Sequence, residues 1–246
     1  MIIETTKLKE LLNLHAKDVK DPYVIFDLAK EYDRLKQGAA AVGLYIKAAD
    51  LTDDKMLQYK AMILAGNCYN RQGNRSYTVI GMYMDAANVM PNRPEAYHFI
   101  AAYHEQKAAW KDCKLYAQIG LGLSVSGIGE NDSLDISYPG RDWFHIQIAV
   151  SDWQLAGTQH GRESFFDIAY RKDVNPEVRM DAHHKLINVS GIPDSIYYIE
   201  DNICTWKYPF EGKDQIKKNN SKHFQDMFVL SLLNGKKGGR YLEIGS

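Results

Sequence analysis

Small, apolar and aromatic residues recur in a fixed order along the first half of the chain. Ile25, Leu28, Ala29 and Tyr32 have that order; Met62, Ala65, Gly66 and Tyr69 repeat it, and so do Tyr97, Ile100, Ala101 and His104. Offsets of three, four and seven place such residues on one stripe of an α-helix. A second helical set follows each of these: Ala41, Tyr45 and Ala48, then Val79, Tyr83 and Ala86, then Cys113, Ala117 and Gly120. The step is 37 residues from Ala29 to Gly66 and 35 from Gly66 to Ala101. The pattern therefore predicts repeated pairs of antiparallel helices. Ala29, Gly66 and Ala101 are the small residues that let two backbones approach, and Tyr32, Tyr45, Tyr69 and Tyr83 fill the remaining gaps. Pro22, Pro91 and Pro94 fall between units, and a proline in the first turn of a helix costs no hydrogen bond.

On the N-terminal side, Leu8, Leu11, Leu12 and His15 mark one face of a helix between Thr5 and Val19. It reads either as the second helix of a preceding, incomplete unit or as a capping helix. Beyond about Leu123, the stretch 124–140 is rich in Gly, Pro, Ser, Asn and Asp and is expected to be a long flexible loop. Helical signals resume over 142–158, 161–170 and 176–189. Residues 196–210 are dense in Tyr, Trp and Ile and fit either a short extended segment or a loop, and 213–222 reads as a solvated linker. The stretch 224–233 is helical by spacing, and 240–246 has the pattern of a buried strand meeting a glycine turn. The resulting division is a helical repeat domain over 1–190, an irregular linker over 191–222 and a C-terminal stub over 223–246.

A unit of about 34 residues built from two helices is the tetratricopeptide repeat, which this chain resembles. The resemblance implies an all-α fold, a right-handed superhelix of antiparallel helix pairs. The stretches NRPEAYHFIAAYHEQ, YPGRDWFHIQIAVSDWQLAGTQHGR and VNPEVRMDAHHKLIN further resemble the degenerate helical repeats found beside family 2 glycosyltransferase domains. The last segment, FQDMFVLSLLNGKKGGRYLEIGS, resembles the entry to an FkbM-type methyltransferase that uses S-adenosylmethionine. Glu243 and Gly245 match its motif, but the later glycines and the acidic residue after the second strand are absent. One strand cannot form the crevice of a doubly wound sheet, so the stub is expected to be a truncated remnant that binds no cofactor.

Composition narrows the chemistry. The 246 residues are 45% hydrophobic and 25% charged with a net charge of -1, which provides no general attraction to nucleic acid or an anionic membrane. Three cysteines without a CxxC argue for a reducing, cytoplasmic setting. No apolar run reaches the length of a membrane span. Gly120-Leu-Gly122 and Gly127-Ile-Gly129 follow a helix and lack the full dinucleotide fingerprint, His183 and His184 are adjacent where a metal pair needs helical spacing, and no nucleophile elbow occurs. No catalytic residue, metal or cofactor is expected.

Recognition of a protein or peptide has more support. In the tetratricopeptide family the first helix of each unit lines a concave groove. The equivalent positions here are Tyr23, Phe26, Lys30, Asp33 and Arg34; Lys60, Ile63, Asn67, Asn70 and Arg71; and Glu95, His98, Ala102, Glu105 and Gln106. Lys30, Arg34, Lys60, Asn67, Asn70, Arg71 and His98 are the expected peptide-contacting residues. A carboxamide such as Asn67 can donate to and accept from a peptide backbone, and the cations suit a carboxylate or phosphate. The expected function is a non-catalytic scaffold for an acidic or extended peptide, within a larger glycan- or methyl-modifying protein. Two alternatives remain open: an ordinary solvated face on an array that only spaces catalytic domains, and self-association through the array ends.

Overall fold

The computed structural model describes residues 5–125, 134–190, 197–200, 203–206, 233 and 237–238. The chain divides into two compact units, Met1–Phe144 and His145–Ser246.

The first unit holds α1 (Thr6–Lys17), α2 (Pro22–Arg34), α3 (Gly38–Leu51), α4 (Lys55–Gln72), α5 (Ser76–Val89), α6 (Glu95–Gln106) and α7 (Trp110–Val125). Consecutive helices pack against each other, giving the helix pairs α2/α3, α4/α5 and α6/α7 of an all-α, tetratricopeptide-like array. Local chemistry sets the starts. Asp21 accepts from the backbone amides of Tyr23 and Val24 with Pro22 in the first turn, Asp54 accepts from Met56, and Thr5 accepts from Leu8. Caps of this kind contribute about 1 kcal/mol each. The turns inside the pairs use left-handed backbone at Lys36 (φ 61°), at Gly73 and Asn74 (φ 75° and 53°) and at Ala108 (φ 55°).

The small-residue rule is realised at atomic distance. A Cβ added to Gly66 would lie 2.5 Å from the ring of Tyr83, so that ring fills the space a side chain would take. Ala29 and Tyr45, the corresponding pair one unit earlier, are 0% and 1% exposed in one apolar cluster. Gly120 of α7 plays the same part for Phe144, whose ring occupies the position of its missing Cβ. On α1, Leu8 and Leu11 are buried while Leu12 stays 37% exposed, a narrower stripe than the sequence suggested.

The second unit contains most of α8 (Trp143–Ala156), with α9 (Thr158–Tyr170) and α10 (Pro176–Ser190). Gly161 opens a close approach here too, since a Cβ would lie 2.6 Å from that of Trp153. Arg179 of α10 donates to the carbonyl of Ala169 on α9 at 3.2 Å. Two short strands, β1 (Tyr197–Glu200) and β2 (Ile203–Trp206), pair antiparallel with Tyr197 opposite Trp206. They lie in the stretch read as irregular linker, and the extended alternative holds because aromatic and β-branched residues favour pleated backbone. The expected linker over 213–222, the helix over 224–233 apart from its last residue, and the motif residues Glu243 and Gly245 lie outside the described residues.

Candidate peptide-binding face

Helices α2, α4 and α6 are the first members of their pairs and carry the predicted contact positions. Several of these positions are committed to the array itself. Arg34 donates to both carboxylate oxygens of Glu31, at 2.9 and 2.6 Å, and Thr5 donates to the same carboxylate at 2.8 Å. The Arg34 hydrogen bonds, followed by that from Thr5, hold the Glu31 carboxyl down at about 2. Arg71 of α4 reaches back to Asp33 of α2 at 2.5 Å, and Asn70 donates forward to Gln106 of α6 at 3.2 Å. These polar contacts link neighbouring repeats. The Asn67 oxygen, expected to hold a ligand backbone, instead accepts from the Tyr83 hydroxyl at 2.7 Å. Arg71 also donates to the Cys68 sulfur at 3.1 Å, and burial pushes that thiol up to about 12, far from a reactive thiolate.

Three other family-derived positions are buried. Phe26 and Ile63 are 9% and 0% exposed and belong to the core. Glu95, only 2% exposed, is bound by Arg93 at 2.6 Å and accepts from the Tyr59 hydroxyl at 3.1 Å, while that hydroxyl accepts from the Ala96 amide at 3.0 Å. Tyr59, Arg93 and Glu95 thus form a buried polar knot at the start of α6, where an unpaired carboxylate would be costly.

What remains of the face is met by the chain's own segment from Leu134 to Tyr138. Leu134 and Ile136 are buried in the same apolar cluster as Tyr59, Ile63 and Ala96. Between them Asp135 turns outward and accepts from Lys30 of α2. The Lys30 hydrogen bond and charge lower the Asp135 carboxyl, and the positive charge of Lys60 adds to the effect. Tyr138 packs against His98 of α6 with ring centroids 5.5 Å apart, and His98 also meets Phe99 at 5.5 Å and Phe144 at 5.8 Å. The expected flexible loop is therefore anchored here, because every second residue is apolar and finds a buried seat.

Of the predicted residues, the fold brings Lys30, Lys60 and His98 to this segment and directs Arg34, Asn67, Asn70 and Arg71 into the array. Leu134, Asp135, Ile136 and Tyr138 were missed. Their signal was a period-two alternation of apolar residues inside a polar stretch, although the backbone is left-handed and not extended at Asp135 and Ser137. Among the described residues, no group of three or more His, Cys, Asp and Glu is placed to hold a metal ion, and no helix is long and apolar enough to cross a membrane.

By sequence, the chain matches no protein-family model and no curated protein. Among the solved structures it matches is the crystal structure of a thermophilic TPR protein from Thermus thermophilus. The identity is 12% and the TM-score 0.49, with 73% of this chain and 89% of that chain covered.

Proposed function

We propose that the first unit is a non-catalytic protein-interaction scaffold whose α2/α4/α6 face receives an extended acidic segment. One observation carries the reading: an aspartate flanked by two buried aliphatic residues is bound by Lys30, with the charge of Lys60 acting on the same carboxyl. Lys60 has no hydrogen-bond or ion-pair partner among the described residues, so it is available to a second acidic group. The contact set moves from the sequence expectation centred on Lys60, Asn67 and Arg71 toward Lys30, Lys60 and His98, since alanine at Asn67 or Arg71 would disturb the array before it disturbed a ligand. A place within a larger glycosyltransferase- or methyltransferase-containing protein of the cytoplasm is proposed from the sequence resemblances alone.

Selecting a random displayed-peptide library on the whole chain tests the proposal. The expected result is enrichment of peptides with an acidic residue between apolar ones, lost in both Lys30→Glu and Lys60→Glu. Absence of enrichment, or enrichment indifferent to both substitutions, overturns it and leaves a spacer.

A further inference from the structure

The segment from Leu134 to Tyr138 does more than cover a surface, because its sequence and its mode of attachment each specify something. We propose that it is a built-in occupant of the α2/α4/α6 face, and that the partner displacing it is a protein segment of the same pattern: apolar, Asp, apolar, any residue, Tyr. The inference rests on the interaction reading above and names the ligand class and its regulation.

The pattern comes from which side chains are used. Leu134 and Ile136 are 6% and 2% exposed, Tyr138 is half-buried against His98, and the intervening Asp135 and Ser137 face solvent. Two aliphatic anchors, one acid for Lys30 and one aromatic for His98 make a compact recognition code.

Reversibility comes from how the segment is held. The Asp135 side chain is 77% exposed and its Lys30 partner 38%, and an ion pair open to water contributes little stability. Asp135 and Ser137 also have left-handed backbone, with φ of 49° and 59°, a region that residues with a side chain populate sparsely. A free peptide that fills the same seats meets the same backbone cost. The tether supplies the compensating advantage, because the seat begins nine residues after α7 ends at Val125. A free partner must outcompete a segment that belongs to the same chain as its seats.

The test uses the whole chain and a labelled synthetic peptide, SLDISYP, that copies residues 133–139. Binding is measured by fluorescence polarisation to the unaltered chain, to Ile136→Ala and to Ile136→Asp, with helicity followed by circular dichroism. Ile136→Ala empties a buried seat without placing a charge in it, so it decides the matter if Ile136→Asp fails to fold. The peptide is expected to bind the released variants about 10-fold or more tighter than the unaltered chain. Equal affinity for all chains, or no binding to any folded variant, overturns the inference. If library-derived acidic peptides bind while SLDISYP does not, the internal-occupant inference fails and the interaction reading stands. If neither binds, both fail.

Discussion

Lys30 and Asp135 are 105 residues apart in sequence and joined by one ion pair, so the first repeat is tied to a segment beyond the third. The pair orients the segment, whereas the apolar seats hold it. Asp135→Asn should lower stability by no more than about 1 kcal/mol, as for other exposed pairs. Ile136→Ala empties a seat that is 2% exposed and should cost about 2–4 kcal/mol. Chemical denaturation of the two variants checks the order, and an equal or inverted cost would show that charge is the principal anchor.

Gly66 and Gly81 offer a contrast within one helix pair. A Cβ at Gly66 would enter the Tyr83 ring at 2.5 Å, whereas one at Gly81 meets nothing within 4 Å. Alanine is the better helix former by about 1 kcal/mol, so Gly81→Ala should raise the melting temperature. At Gly66 the same gain is outweighed by overpacking of about 1–3 kcal/mol, and Gly66→Ala should lower it. Thermal melts of both variants decide whether the close approach is as tight as the geometry indicates.

Acid should loosen the first two helices through Glu31. Its carboxyl is held at about 2 by the Arg34 and Thr5 hydrogen bonds, below the ordinary value of 4.5. A folded-state value below the unfolded one means that the contribution is fully present above 4.5 and is lost as pH falls from there toward 2. Glu31→Gln should therefore be less stable at neutral pH and show a shallower loss over that interval. Melting temperatures at stepped pH test this, and parallel profiles for the two proteins would count against it.

The array was legible because packing imposes a period on the sequence. Gly66 beside Tyr83, and Ala29 beside Tyr45, could be paired from spacing since the small residue and its filler recur with each unit. The face was less legible for a physical reason. A position on the first helix of a repeat indicates which side a residue occupies but not which neighbour binds it. Asp33 takes up Arg71 and Tyr83 takes up Asn67, and both partners come from other helices. Glu95 stood at a groove position by sequence, whereas the fold buries it between Arg93, two residues earlier, and Tyr59, 36 residues earlier. The segment around Ile136 was hidden by its polar setting, where three alternating apolar residues were outweighed by the glycines, serines and prolines around them.

A linear stack of helix pairs has contacts only between neighbours, and such a stack can open from either end one repeat at a time. The tie from α2 to Asp135 turns that line into a closed loop. Leu134 and Ile136 seat among residues of α4, α5 and α6 while Asp135 meets α2, so one short segment touches all three repeats. Release of the segment would remove contacts that run between repeats far apart in sequence, so occupancy of the face and cohesion of the array are coupled.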